Sequence, residues 1–246
     1  MTVYSRLAER FDPADFVYAH RGLWMPAGPP ENSQAAFRAA AQNGLGIEFD
    51  VRPSADGVPV IFHDPALDRM THAIGEVAAH TSDELQTFDL IGGGQILRLA
   101  ELLEFWPGET PLLCEIKIDG DTPPDTFAKE VANLLMAHAG PAAIMSFSID
   151  AVAAVPDTLM RGQLVPPSRL ITDDELKKVT SLPADYYACH VSDAQNPVLQ
   201  DARIRRPLLT WTVKDEATCK SLSGATDSQI FEGFDPKLAK RHILNR

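Results

Sequence analysis

At 246 residues with 45% hydrophobic content, the chain is long enough to bury one large core and has the size of a (β/α)₈ barrel. Its 34 acidic against 22 basic side chains leave a net charge of -12, which disfavours a nucleic-acid partner and requires any anionic ligand to be held by local cations or a bound metal. No stretch approaches about 18 consecutive apolar residues, so no transmembrane segment is expected.

The chain opens with a short amphipathic stretch, Met1 to Phe11, that carries Arg6, Glu9 and Arg10 and has no apolar run of signal-peptide length. The cysteines Cys114, Cys189 and Cys219 are far apart and odd in number, so a reducing, cytoplasmic setting is expected rather than a disulfide framework. A first strand over Phe16 to Ala19 runs into His20-Arg21-Gly22, and helical spacing follows over Ser33 to Asn43, with Asn32 or Ser33 as its cap. The second strand, Gly46 to Val51, is extended by the turn signal Asp56-Gly57 into a hairpin arm, Val58 to Phe62, which ends on His63-Asp64. From Pro65 to Leu97 the pattern loosens, with Gly75 and the run Gly92-Gly93-Gly94, before a second helix over Leu99 to Trp106. Further strands are expected at Leu112 to Lys117, Ala143 to Ser146, Arg161 to Val165, Tyr186 to Cys189, Leu208 to Thr212 and Gln229 to Glu232. Helices are expected at Asp125 to Ala139, Thr172 to Val179, Asp215 to Ser223 and Pro236 to Asn245, the first three opening on Asp125, Thr172 and Asp215 as caps.

Strand alternating with helix argues for a parallel sheet with helical crossovers, and eight strands argue for closure into a TIM barrel. The alternative, an open doubly wound sheet, lacks the glycine-rich phosphate loop after its first strand. The expected organisation is a single domain over 1–246 with a small insertion after the second strand, about 65–97, placed on the rim where βα loops emerge.

Glu48 and Asp50 stand two apart on the second strand, as do Glu115 and Lys117 on the third. Alternation of strand side chains therefore projects each pair to one face. A barrel interior is normally apolar, so three carboxylates pointing into it are costly without a compensating ion. The bland alternative is a solvated strand end with Lys117 paired to Glu115; two such pairs on neighbouring strands point instead to a cation site. With no His or Cys among them, the ligand set suits a hard ion such as Mg²⁺, Ca²⁺ or Mn²⁺. A lone histidine at a strand end is ordinarily a surface or capping residue, but His20 and His63 flank the carboxylate strands and suit general acid–base work at a phosphorus centre. Arg21 suits a phosphate oxygen, or an ordinary salt bridge, and Lys117 offers a point charge to the same group. Phe147 and Trp211, at later strand ends, suit either a pocket wall or core packing. Asn32 suits capping, with reach towards the same site.

The run Ala19-His20-Arg21-Gly22, Glu31-Asn32-Ser33 with Ala36-Phe37, Ile47-Glu48-Phe49-Asp50-Val51, Asp56-Gly57, Val60 to Asp64, Leu67, Arg69, Thr71 and Glu115-Ile116-Lys117 resembles the glycerophosphodiester phosphodiesterase family. Ser146-Phe147 and Trp211-Thr212-Val213 resemble its later strand ends. The resemblance implies a barrel with an insertion after the second strand and a divalent metal on Glu48, Asp50 and Glu115. It also implies catalytic roles for His20 and His63 and phosphate contacts for Arg21 and Lys117. The implied reaction is metal-dependent hydrolysis of a small glycerophosphodiester to sn-glycerol 3-phosphate and an alcohol. Alternatives are a phospholipase C or D-like phosphodiesterase acting on lipid head groups, and a non-catalytic barrel that binds phosphodiesters. The chain departs from the pattern at its last strand, Asp227 to Glu232, where members have a D-G-[IL]-[IV]-T-D kind of ending; the expected effect is on substrate-pocket shape and specificity. Arg52 and the segment Leu23 to Pro30 also depart from the commonest members, which opens the question of the alcohol accepted.

Overall fold

The computed structural model describes residues 10–118 and 122–244. The amphipathic stretch from Met1 lies outside the described residues except for Arg10 and Phe11, and so does Asn245 at the end of the last expected helix.

Eight parallel strands close on themselves: β1 (Tyr18–His20), β2 (Gly46–Pro53), β4 (Leu112–Ile116), β5 (Ala142–Ser146), β6 (Met160–Leu164), β7 (Tyr186–His190), β8 (Leu208–Val213) and β9 (Ser228–Phe231), with β1 hydrogen-bonded to both β2 and β9. The extra strand, β3 (Pro59–Ile61), pairs antiparallel with β2 as the hairpin arm. The helices of the outer layer are α1 (Gln34–Gln42), α3 (Leu99–Phe105), α4 (Pro124–Ala137), α5 (Ile149–Ala154), α6 (Asp173–Val179), α7 (Pro197–Arg203), α8 (Glu216–Leu222) and α9 (Pro236–Leu244), while α2 (Ser82–Leu85) belongs to the insertion. The closed TIM barrel expected from the strand count is therefore the fold, and the open sheet is not. Among the described residues no helix is long and apolar enough to cross a membrane.

Strand parity divides the core as the alternation requires. On β2, Ile47, Phe49 and Val51 face outwards and pack with Phe37 and Ala40 of α1 and Leu99 and Leu102 of α3. Inward residues of the other strands, among them Tyr18, Leu113, Met145, Tyr186 and Ile230, fill the barrel centre. Burying each such large side chain is worth roughly 1.5–3 kcal/mol, so the inner and outer layers both hold the strands in register.

Ser33 caps α1, its side chain accepting from the Ala36 N–H, and Thr172 and Asp215 cap α6 and α8 as expected. Asp125 does not cap α4. Pro124 occupies the first helical position, where its missing N–H costs nothing, and Asp125 lies inside the first turn, 3.1 Å from Lys129 one turn on. Helices α5 and α7 were not among the expected segments; each is a short helix opened by a side-chain cap, Ser148 or Asn196. The segment between β3 and α3 is not loose: Val60, Phe62, Leu67, Val77, Leu85, Leu90 and Ile96 form their own small buried cluster, which fixes the insertion against the hairpin.

Candidate active site

Register assembles the site from neighbouring strands. His20 of β1 pairs with Glu48 of β2, and Asp50 of β2 pairs with Glu115 of β4, so all four side chains point inwards at the C-terminal mouth of the barrel. Glu48, Asp50 and Glu115 are buried, and each offers an oxygen within 4.8 Å of the others. The hairpin returns His63 to this level: β3 runs back along β2, the Phe62 N–H donates to the Asp50 carbonyl, and Arg52 Nε donates to the His63 carbonyl at 2.7 Å.

A cavity of about 150 Å³ is lined by His20, Arg21, Glu48, His63, Glu115 and Lys117 on one side and by Met145, Phe147, Leu164, Trp211 and Ile230 on the other. The expected site residues other than Asp50 thus surround one space, and Asp50 joins them through the triad, with an oxygen within 4.8 Å of Glu48 and Glu115. Phe147 and Trp211 meet edge to face at 5.7 Å, and His190 packs on Trp211 at 5.4 Å. A larger open groove of about 530 Å³, between the hairpin and α4, is lined among the described residues by no histidine, lysine or arginine and gathers none of the expected site residues.

The turn after β1 is shaped for this site. Arg21 and Asn32 are the two described residues other than glycine in the left-handed region, with φ of 57° and 56°. Such a conformation costs roughly 1–3 kcal/mol away from glycine and concentrates at functional sites. Gly22, with φ of 83°, lies so close to α1 that a Cβ there would come within 2.9 Å of Ala36. This geometry lets the Arg21 N–H donate to Glu48 at 3.2 Å while its guanidinium donates to Glu31 at 2.8 Å and stands 3.3 Å from Asp50. Asn32 is not a helix cap. It is buried, and its side-chain amide donates to Asp50 Oδ2 at 2.9 Å.

The triad is under-compensated by protein cations. Lys117 touches Glu115 and stands 3.0 Å from Asp50, and Arg21 is another cation seen within 4 Å of the three carboxylates among the described lysines and arginines. The deficit falls on Glu48: burial, then repulsion from Asp50 and Glu115, holds its carboxyl well above the usual range. Burial also raises Glu115 against the pull of Lys117. Burial opposes ionisation of Asp50 too, but Lys117 and Arg21 prevail and hold it below the usual range. Glu48 Oε1 is buried without a hydrogen-bond partner among the described residues. An oxygen-only cluster with an orphaned carboxylate oxygen and excess negative charge fits a hard divalent cation.

Each histidine has a carboxylate on Nδ1. His20 Nδ1 is 2.5 Å from Glu232 Oε2, with Nε2 3.8 Å from Glu48; His63 Nδ1 is 2.6 Å from Asp64. Both rings sit below the usual imidazole range, with burial the largest cause. Asp64 is held at about 2, burial being outweighed by Arg69 and His63, and Arg69 also donates to Glu31 at 2.6 Å. A continuous run of ion pairs therefore links Arg21, Glu31, Arg69 and Asp64, and a hydrogen bond carries it on to His63.

Glu232, Glu31, Arg52, Asp64 and Arg69 are the side chains not marked as site residues by sequence reasoning. Asp64, Glu31 and Arg69 lie within the matched motifs, which is the signal that could have drawn them in. Glu232 falls in the departing last strand, whose effect is therefore not confined to pocket shape.

The sequence matches the model of the Glycerophosphoryl diester phosphodiesterase family over residues 20–229. It is 44% identical over 69 residues to a Bos taurus protein named glycerophosphodiester phosphodiesterase 1, and 36% identical over 110 residues to a glycerophosphodiester phosphodiesterase of Caldanaerobacter subterraneus. These matches span 28% and 42% of this chain, and only 20% and 44% of those relatives' lengths. A phosphodiesterase of Oleispira antarctica, solved with its product sn-glycerol-3-phosphate, superposes with a TM-score of 0.76 at 25% identity over 91% of this chain and 94% of its own. A glycerophosphodiester phosphodiesterase from Thermotoga maritima superposes with a TM-score of 0.74 at 22% identity, covering 91% of this chain and 95% of its own, and at that identity speaks for the fold.

Proposed function

The chain belongs to the glycerophosphoryl diester phosphodiesterase family, and on that premise we propose that it hydrolyses small glycerophosphodiesters to sn-glycerol 3-phosphate and an alcohol with the help of a divalent cation. The observation that carries this reading is the placement of two carboxylate-held histidines beside a buried triad of carboxylates in one cavity. The Oleispira relative's bound product supports the substrate class.

In this reading Glu48, Asp50 and Glu115 hold the cation. When bound, the cation supplies Lewis-acid polarisation of the phosphodiester. Arg21 and Lys117 receive the phosphate oxygens and stabilise the charge that grows on them in the transition state. One imidazole takes the proton of the attacking hydroxyl, and the other returns a proton to the oxygen of the departing alcohol, so no net charge is stranded in the cleft. The family resemblance makes a neighbouring glycerol hydroxyl the first nucleophile; a cyclic phosphate then forms as the P–O bond to the alcohol breaks, and water opens it in a second step. Phe147 and Trp211 wall off the apolar side of the cavity and hold carbon rather than charge.

The test is release of sn-glycerol 3-phosphate from glycerophosphocholine and glycerophosphoethanolamine by purified protein, first with EDTA and then with Mg²⁺, Ca²⁺ or Mn²⁺ restored. Cation-dependent release is the expected result. No release with any of the ions, together with intact cation binding, would overturn the assignment in favour of a different phosphodiester.

A further inference from the structure

Three consecutive strands around the barrel wall end in a row of ionisable side chains. Lys214 is the first residue after β8, Glu232 the first after β9, and His20 the last of β1. The Glu232 N–H donates to the Val213 carbonyl at 2.9 Å, and Phe231 pairs with Ala19, so the backbone holds the three side by side. Glu232 spans the row with both oxygens: Oε2 lies 2.5 Å from His20 Nδ1, and Oε1 lies 3.0 Å from Lys214 Nζ. Its side chain is only 11% exposed, and that of His20 only 14%, so water competes weakly for either. Nothing in the proposed reaction uses Glu232 or Lys214 directly.

We infer that Glu232, itself oriented by Lys214, is a positioning residue that keeps the proton of His20 on Nδ1 and presents Nε2 as an acceptor towards the reacting centre. An ionised carboxylate only accepts hydrogen bonds, so the His20 nitrogen facing it must be the donor, and in a neutral ring the other nitrogen is then bare. An ammonium only donates, so Lys214 claims one Glu232 oxygen and leaves the other for the ring. The inference rests on the proposed role of His20 in proton transfer.

This arrangement makes the glutamine substitution more than a loss of charge. In Glu232→Gln the side chain keeps a single oxygen, which Lys214 attracts, so the amide NH₂ turns to His20 Nδ1. That nitrogen must then accept, and the ring proton moves to Nε2, where it blocks proton abstraction. Removing the lysine as well, in the double variant Glu232→Gln/Lys214→Met, frees the amide to turn its oxygen back to the ring. Glu232→Asp keeps an acceptor-only group.

The experiment records the ¹⁵N spectrum of histidine-labelled full-length protein at about pH 8, where a free imidazole is neutral, alongside kcat and KM for glycerophosphocholine. His20 is assigned by the signal lost in His20→Gln. The expected result is an Nδ1–H tautomer in the wild type, Nε2–H in Glu232→Gln, and Nδ1–H again in the double variant. With it, kcat should fall about 100-fold in Glu232→Gln, KM should stay within about twofold, and kcat should recover several-fold in both the double variant and Glu232→Asp. An unchanged tautomer in Glu232→Gln, or a loss confined to KM, overturns the inference. If the wild type cleaves no glycerophosphodiester, the proposed function fails instead, and the tautomers alone decide the role of Glu232.

Discussion

Lys117 Nζ lies 3.0 Å from Asp50 Oδ1 across the β2–β4 pair, and the same ammonium touches Glu115 on its own strand. One cation is thus shared between two of the three carboxylates while lining the cavity. Burial disfavours its charge, but Asp50 and Glu115 hold its pKa above the usual range.

Lys117→Met should therefore move two quantities in opposite directions. Affinity for a divalent cation rises, because a competing charge has left the triad, while kcat falls about 100-fold or more because transition-state charge is left uncovered. Cation titration followed by steady-state kinetics on the same protein separates this from simple loss of structure, which lowers both.

His20→Ala and His63→Ala should each lower kcat by about 100-fold or more, with cation binding retained because neither ring belongs to the triad. A rate near that of wild type in either variant would remove that ring from the proton transfers.

Asn32 joins backbone strain to a triad contact, having φ of 56° and a 2.9 Å hydrogen bond to Asp50. Asn32→Ala should weaken cation binding about tenfold or more through the lost amide and lower Tm through left-handed strain. Asn32→Gly loses the same amide but relieves the strain, so Tm should recover while cation affinity stays low. Thermal melts with and without cation check both.

Cation binding near neutral pH should release a proton. Burial, Asp50 and Glu115 lift the carboxyl of Glu48 above the usual range, so a proton competes with the cation for this ligand and leaves when the cation binds. Cation affinity should accordingly weaken as pH falls. Calorimetric titration in two buffers of different ionisation enthalpy counts the protons, and a count of zero would mean that Glu48 is already ionised without the cation.

Asp56 fastens the hairpin turn to the insertion, accepting from Ser54 Oγ at 2.6 Å and from the Ser82 N–H at 2.8 Å. Its carboxyl is held at about 2, chiefly by the Ser54 and Ser82 hydrogen bonds. A depressed carboxyl contributes stability that is fully present above the unfolded value, about 3.9, and that is lost as pH falls through the folded value. Asp56→Asn should thus have a lower Tm than wild type at neutral pH, with the gap closing between about pH 4 and pH 2. A gap that persists at pH 2 would assign the effect to packing.

Local spacing is enough to read the strand alternation, the parity that turns Glu48, Asp50, Glu115 and Lys117 inwards, the Asp56-Gly57 hairpin and the capping of α1, α6 and α8. Each of these follows from spacing over two to four residues, where backbone geometry leaves few choices. Helix α5, six residues long, carries little periodicity, α7 has Pro197 at its first position, and Asp125 is not the cap of α4 because Pro124 takes the first helical position. What those inward groups meet is set by long-range packing. The pairing of His20 with Glu232 joins residues 212 apart, and it exists because the barrel closes β9 onto β1 in one register. The belt from Arg21 through Glu31, Arg69 and Asp64 to His63 likewise depends on the insertion packing its own small core against the hairpin. Side-chain partners across a closed sheet are set by register and closure, which no local spacing encodes.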